Sequence, residues 1–103
     1  MEIRKVETDK KRYLDLLLLA DEQEDMVDRY LERGTMYVLE DGGVKAECVV
    51  TDEGDGILEL KNIAVAPDFQ GRGYGKAMVA FLVQTYTEQH TVCLLYTSDA
   101  ADD

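Results

Sequence analysis

A glycine-rich segment between a strand pattern and a helix pattern constrains the fold of this chain more than any other feature. Residues 70–75 are Gln-Gly-Arg-Gly-Tyr-Gly, and they follow the apolar run of residues 63–65. Three glycines at alternate positions let the backbone turn tightly and approach a ligand without interference from Cβ atoms. The N–H groups of a first helical turn have no acceptors within the helix, so this segment favours binding of a phosphate.

Two cations next to these glycines favour a polyanionic ligand. Arg72 and Lys76 lie here in a chain whose formal net charge is −11. Two common phosphate-binding patterns do not fit. The dinucleotide fingerprint needs a glycine where Lys76 stands, and the nucleoside-triphosphate loop needs a glycine at Gln70 and a hydroxyl residue at Ala77.

The N-terminal third predicts one strand and two helices. Residues 2–6 alternate between polar and apolar types, which indicates a strand. Thr8-Asp9 is expected to cap a helix that runs to about Ala20, and Asp21 with Glu24 resembles a capping box that opens a second helix ending at Gly34.

The remainder predicts a hairpin, a long strand and a third helix. Residues 41–43 are a hairpin signal, and a second turn at residues 52–56 leads into a strand that ends at Val65. Strict alternation would place Glu59, Lys61, Ile63 and Val65 on one face of that strand. The third helix follows the glycines, and its buried face is expected to contain Ala77, Met78, Phe81, Leu82 and Tyr86. The predicted order is β-α-α-β-β-β-α, an α/β fold (α+β, with a mixed sheet).

Composition narrows the functional class. A chain of 103 residues forms one domain at most. Its negative charge argues against nucleic acid and anionic membranes, and is compatible with a cationic acceptor such as an amine. No signal peptide or membrane span is apparent, and Cys48 and Cys93 match neither a disulfide framework nor a metal site. We therefore expect a cytoplasmic protein without metal.

The segment from Leu58 to Phe81 resembles the central motif of the GNAT superfamily of N-acetyltransferases, whose signature is Q/R-x-x-G-x-G/A. Here Gln70, Gly73 and Gly75 match that signature, after the family-like run of residues 63–67. The predicted element order also matches, so the resemblance covers residues 1–92. It implies a GNAT-like acyl-CoA N-acyltransferase fold with its C-terminal part missing.

The resemblance also implies a role for each site residue. Main-chain amides from Gln70 through Gly75 would hold the pyrophosphate of coenzyme A, with Lys76 at the helix start. Main-chain groups of Ile63 and Val65 would pair with pantetheine, and one amide would polarise the thioester carbonyl. The cofactor-binding set is thus Ile63, Ala64, Val65, Gln70, Gly71, Arg72, Gly73, Tyr74, Gly75 and Lys76. The alternative for the glycines is a plain tight turn.

Glu59 is the candidate general base, because some family members carry a glutamate six residues before the position of Val65. A protonated amine cannot attack a thioester, so a base must act on it directly or through water. The alternative is an ordinary carboxylate beside Lys61. We expect His90 to be a surface or helix-end residue, Cys48 to serve packing, and Tyr74 to pack or to lie over the cofactor edge.

Residues 93–103 resemble the translation of a common sequencing-library adaptor at all eleven positions. Residues 1–92 are then expected to be the N-terminal and central part of the domain, and the acid that protonates the leaving thiolate would lie in a missing C-terminal part. The alternative is a last strand followed by an acidic tail, since Val92 to Tyr96 has strand propensity.

The expected activity is transfer of an acetyl group from acetyl-CoA to a primary amine, by direct attack in a ternary complex. The amine belongs to a small molecule or a protein, and the protein is a monomer or a homodimer. The fragment itself is expected to be inactive. The alternatives are a non-catalytic acyl-CoA-binding regulatory module, a longer acyl chain and a hydroxyl acceptor.

Overall fold

One five-stranded sheet forms the centre of the molecule, with helices on both faces. The computed structural model describes residues 1–89 and the backbone of residues 93–96. In chain order the elements are β1 (Glu2–Val6), a 3₁₀ helix (Lys10–Tyr13), α1 (Leu14–Ala20), α2 (Glu24–Asp28), β2 (Thr35–Glu40), β3 (Val44–Gly54), β4 (Ile57–Val65), a 3₁₀ helix (Pro67–Phe69), α3 (Tyr74–Glu88) and β5 (Cys93–Tyr96). The predictions for His90 and for residues 97–103 lie outside the described residues.

The sheet has the strand order β1-β2-β3-β4-β5. The first four strands are antiparallel neighbours, and β5 pairs with β4 in parallel, from Ile57 opposite Cys93 to Leu60 opposite Tyr96. A parallel neighbour needs a crossover connection, which α3 provides. The mixed α/β sheet that the sequence predicted is confirmed.

The two faces of the sheet carry separate apolar clusters. The α3 face buries residues of β2, β3 and β4 against Met78 and Leu82, with Ala77, Phe81 and Tyr86 packed at the margin. The predicted buried face of the third helix is therefore confirmed. The opposite face packs Leu17 of α1 and Val27 of α2 against Met36, Val38 and Val49 of the sheet.

Both N-terminal helices are shorter than the sequence predicted. The first begins as a 3₁₀ helix, and Asp9 before it has φ 54° and makes no side-chain capping hydrogen bond. The second starts after Gln23 and ends at Asp28, so the predicted capping box of Asp21 and Glu24 is wrong. Asp21 instead accepts a hydrogen bond from the Tyr30 hydroxyl at 3.2 Å, which shows a tertiary contact overriding a local capping pattern.

A register shift in β4 changes which side chains share a face. Val49 pairs with Asn62 while the next residue, Val50, pairs with Leu60, so Lys61 is the extra residue of a β-bulge. Leu60 and Ile63 consequently lie in the same cluster on the α3 face. The predicted grouping of Glu59 with Ile63 and Val65 is wrong, since a bulge interrupts the period of two.

Candidate functional site

The C-terminal end of β4 brings the predicted strand residues to the start of the glycine segment. Ile63, Ala64 and Val65 are buried, and each pairs with a residue of β3. Ala66 N–H donates to the Lys45 carbonyl at 2.8 Å, so Ala66 turns its amide towards β3. Because main-chain groups alternate in direction along an antiparallel strand, those of Ile63 and Val65 point away from β3.

The side of β4 that faces away from β3 pairs with β5, and the described pairing ends before Ile63. The described pairs with β5 run from Ile57 to Leu60, so Ile63 and Val65 come after the last of them. The Val65 carbonyl accepts a hydrogen bond from Gln70 Nε2 at 3.0 Å. This contact places the start of the glycine segment beside the main-chain groups of Val65.

The glycine segment has the backbone conformation that its sequence requires. Gly71 has φ 77° and Gly73 has φ 89°, both in the left-handed region that favours glycine. Gly73 is the N-cap residue of α3, and its carbonyl accepts from Ala77 N–H at 3.0 Å. The amides of the first turn of this fifteen-residue helix therefore face the segment, at the positive end of the helix dipole.

Space for an anion is present at both left-handed glycines. A Cβ atom built on Gly71 or on Gly73 would have no neighbour within 4 Å. A ligand can therefore approach the backbone at these two positions. A diphosphate, which needs several N–H donors at close range, fits this arrangement.

Three cations surround the segment, and one of them comes from a distant part of the sequence. Lys45 Nζ lies 3.9 Å and Arg72 Cζ 5.1 Å from the centre of the Phe69 ring. Lys76 is exposed in the first turn of α3. Within the described residues, no carboxylate oxygen lies at ion-pair distance from Lys45, Arg72 or Lys76. Lys45 was not predicted from the sequence, because only the pairing of β3 with β4 and the adjoining Ala66 hydrogen bond bring it to the loop.

Tyr74 anchors the loop to the β2–β3 hairpin. Its hydroxyl donates to Asp41 Oδ2 at 2.8 Å, and its ring packs against the apolar cluster of the α3 face. The pKa of Tyr74 is raised, mainly by this hydrogen bond to the Asp41 carboxylate. Tyr74 therefore contributes packing, as one of its predicted alternatives stated.

Glu59 lies away from the glycine segment, towards the other end of β4. Lys61 Nζ is 3.1 Å from Glu59 Oε1, and the Glu59 side chain is 16% exposed. Glu59 precedes Ile63 by four positions, a distance of about 13 Å along a strand. A base at Glu59 would therefore reach a group held at Ile63 through water rather than directly.

A cavity of about 510 Å³ lies at the opposite end of α3. Its lining includes Tyr37, Tyr86 and Gln89 and none of the predicted cofactor-binding residues. This cavity is thus separate from the glycine segment. We assign the candidate site to the segment, because its geometry matches a defined ligand chemistry.

The described residues contain no group of three or more His, Cys, Asp or Glu side chains that could hold a metal ion. No helix among them is both long and apolar enough to cross a membrane.

Known proteins resemble this chain in sequence and in structure. A family model described as an acetyltransferase (GNAT) domain matches residues 32–102. The uncharacterized N-acetyltransferase YvbK of Bacillus subtilis is 43% identical over 74 residues, which are 71% of this chain and 47% of that protein.

Two solved structures superpose closely. An IAA acetyltransferase from Bacillus cereus has a TM-score of 0.79 and 33% identity, over 90% of this chain and 63% of its own. A GNAT family acetyltransferase from Elizabethkingia anophelis, solved with acetyl-CoA bound, has a TM-score of 0.86 and 27% identity, over 92% and 63%.

The chain therefore spans about half the length of its curated relative and 63% of each of these structures. The family model covers more than half of the chain, and the glycine segment lies within the matched residues. The chain belongs to the GNAT acetyltransferase family.

Proposed function

We propose that this chain contains the coenzyme A-binding part of an N-acetyltransferase that uses acetyl-CoA and a primary amine. The observation that carries the proposal is the start of α3, where two left-handed glycines with open space above them lie among three cations that have no carboxylate partner within the described residues. The acetyl-CoA bound to the Elizabethkingia relative supports this choice of ligand.

Each predicted site residue has a part in this proposal. Amides from Gln70 through Gly75 hold the diphosphate, and Arg72, Lys76 and Lys45 add positive charge around it. Main-chain groups of Ile63 and Val65, with Ala64 between them, align the pantetheine arm beyond the paired part of β5. One of these amides stabilises the negative charge that develops on the thioester oxygen.

The chemistry is direct transfer in a ternary complex. The amine nitrogen attacks the acetyl carbonyl carbon, a C–N bond forms and the C–S bond breaks, with no covalent enzyme intermediate. The amine loses one proton, which Glu59 accepts through water. The thiolate gains a proton from an acid that we assign to none of residues 1–92, so we propose that this chain binds coenzyme A but transfers little or no acetyl group.

The test is a calorimetric titration of the chain with coenzyme A. We expect saturable binding that Arg72→Gln and Lys76→Gln each weaken by about tenfold, as loss of a charge-assisted contact does. Arg29→Gln is the matched control, because Arg29 is also exposed but follows α2. Equal affinities in all four proteins, or no binding, would contradict the proposal.

The acetyl-transfer step needs its own assay. A longer protein that includes this chain should release coenzyme A from acetyl-CoA when primary amines are supplied. Saturable binding with no release across an amine library would favour the regulatory binding module instead. The same screen with longer acyl-CoAs and with hydroxyl acceptors separates the remaining alternatives.

We also propose that residues 93–103 come from adaptor DNA and that residues 1–92 are the domain sequence. The formation of β5 by the backbone of residues 93–96 does not bear on the origin of these residues. The codons of the gene test whether they come from adaptor DNA. Codons that differ from the adaptor at these positions would end the idea.

A further inference from the structure

The buried carboxyl group of Glu47 is the most unusual polar feature of the core. Its side chain is 0% exposed, and neither of its oxygens has a hydrogen-bond partner within the described part of the chain. Asn62 is also fully buried, and its Oδ1 has no partner there either. Buried polar atoms in native proteins nearly always have partners, so these three oxygens require an explanation.

Glu47 and Asn62 are neighbours on one face of the sheet. Glu47 pairs with Ala64 across β3 and β4, and Val49, two residues further on, pairs with Asn62. Residues two apart on a strand share a face, so the two side chains form a diagonal cross-strand pair. Long side chains in such a pair can reach each other.

The hydrogen bonds of Asn62 fix the orientation of its amide. Nδ2 donates to the Leu17 carbonyl at 3.0 Å and to the Tyr30 hydroxyl oxygen at 3.0 Å. A main-chain carbonyl can only accept, so Nδ2 must face Leu17 and Oδ1 must face away from it. Oδ1 is therefore an acceptor that still needs a donor.

Tyr30 cannot be that donor. Its one hydroxyl proton is given to Asp21 Oδ2 at 3.2 Å. An ionised Glu47 has no proton to give, and an unpaired buried carboxylate is strongly unfavourable. A neutral Glu47 has one O–H, so protonation removes the buried charge and supplies the donor that Asn62 Oδ1 needs, and the other Glu47 oxygen remains as an uncharged acceptor. Burial favours the neutral form of Glu47, since it raises the pKa of this carboxyl group well above its ordinary value.

We propose that Glu47 is a positioning residue: a neutral carboxylic acid whose O–H group donates to Asn62 Oδ1. Asn62, a residue of β4, in turn binds α1 through the Leu17 carbonyl and binds the hydroxyl of Tyr30, which follows α2. It also directly follows the bulge residue Lys61 and precedes Ile63. The Glu47–Asn62 pair thus fixes the bulge and joins the α1–α2 layer to the strand end described above.

The consequence for catalysis rests on the proposed function. If main-chain groups of Ile63 and Val65 align the pantetheine arm, then the bulge sets their position along β4. The two groups that accept hydrogen bonds from Asn62 are the main-chain carbonyl of Leu17 in α1 and the hydroxyl of Tyr30, which follows α2. Glu47 therefore acts on the site through Asn62, without touching either substrate.

The pair has a defined dependence on pH. The unfolded chain releases the Glu47 proton at a pH of about 4.3, and the folded chain keeps it to a higher pH. The stability that depends on this proton is full below about pH 4.3 and is lost as the pH rises through the folded pKa. The titratable group that faces Glu47 is Tyr30 from beyond α2, with Asp21 behind it, while Cys48 is next to Glu47 in β3 but lies on the α3 face.

The positions directly opposite Glu47 on the adjacent strands are uncharged. The residues directly opposite Glu47 are Val38 on β2 and Ala64 on β4. Tyr30 has its pKa raised to about 12, chiefly by burial, and burial raises the pKa of Cys48 well above its ordinary value. Near neutral pH these two groups stay protonated, so a pH dependence there reports on Glu47.

The test compares wild type with Glu47→Gln, which keeps a donor and the shape but cannot ionise. Unfolding equilibria are measured between about pH 5 and pH 8. We expect the wild-type unfolding constant to rise relative to that of the variant by up to about tenfold per pH unit. Glu88→Gln changes an exposed glutamate at the end of α3 and should follow wild type. Parallel curves for wild type and Glu47→Gln would overturn the proposal.

Two further measurements examine the bond itself. The infrared carbonyl stretch of a buried carboxylic acid should be present in wild type at neutral pH and absent in Glu47→Gln. A double-mutant cycle with Glu47→Leu and Asn62→Leu should show that the double variant is less destabilised than the sum of the single variants. Absence of the acid band, or strict additivity, would overturn the pairing.

This experiment separates the inference from the proposed function. The pH dependence and the infrared band need no ligand. If the chain shows both but does not bind coenzyme A, the proposed function fails and the inference stands. If it binds coenzyme A but shows neither, the inference fails alone.

Discussion

The two faces of the sheet are stabilised in different ways. On the α3 face the buried cluster is apolar except for Cys48 and the Tyr37 hydroxyl at its margin. The α1–α2 face has an apolar cluster too, but it also encloses Glu47 and Asn62. The first face therefore depends on shape and apolar contact, whereas the second also depends on a hydrogen-bond network that links two helices to β4.

The largest effect should come from the apolar face. Leu82→Ala removes a fully buried side chain of α3, and a change of this kind costs about 2–5 kcal/mol in the free energy of unfolding. The loss should be the same at every pH, because no ionisable partner is involved. Denaturant unfolding at two pH values measures it. A clear pH dependence would remove the contrast between the faces.

A smaller loss should come from the polar face. Asn62→Ala leaves the Leu17 carbonyl and the Tyr30 hydroxyl without their donor. Leaving buried polar groups unpaired costs about 1–3 kcal/mol. Chemical denaturation checks this, with the exposed Gln84→Ala as a control that should change the stability by less than about 0.5 kcal/mol. An Asn62 variant as stable as the control would show that the network is not needed.

This difference between the faces could be predicted only in part from the sequence. The period of α3 identified its buried residues, because an amphipathic helix on one face of a sheet keeps its 3.6-residue spacing. The bulge at Lys61 was not predicted, because strict alternation was assumed across the two consecutive polar residues Lys61 and Asn62. The burial of Glu47 depends on α1 and α2 covering that face, which no local pattern specifies.

The candidate site was predicted more completely, for a physical reason. The glycines, Arg72 and Lys76 are contiguous, and left-handed backbone at Gly71 and Gly73 is a local property that their residue type predicts. Lys45 was missed because it reaches Phe69 only through sheet pairing. The hydrogen bond from Gln70 to the Val65 carbonyl likewise depends on the path of the intervening 3₁₀ helix.

The smallest effect should come from the margin of the α3 face. The hydroxyl oxygens of Tyr37 and Tyr86 lie 2.9 Å apart, and the pKa of Tyr37 is raised, mainly by burial. Tyr86→Phe should reduce the free energy of unfolding by about 0.5–1.5 kcal/mol, the net value of one hydrogen bond. Thermal unfolding measures it. A loss as large as that of Leu82→Ala would mean that this face also depends on polar contacts.

The central claim is that the left-handed glycines before α3 bind the diphosphate of coenzyme A. The most direct test is calorimetric titration of coenzyme A into wild type, Gly73→Val and the matched control Gly54→Val. Gly73 and Gly54 have φ values of 89° and 87°, and an added Cβ meets nothing within 4 Å at either. Both variants should therefore lose a similar amount of stability, about 1–2 kcal/mol.

Only Gly73→Val should lose affinity, by at least about tenfold, because its side chain occupies the space above the loop where the diphosphate would lie. Gly54→Val, at the last residue of β3, should bind as wild type does. Equal affinity in all three proteins would contradict the account, and so would a wild-type chain that does not bind coenzyme A.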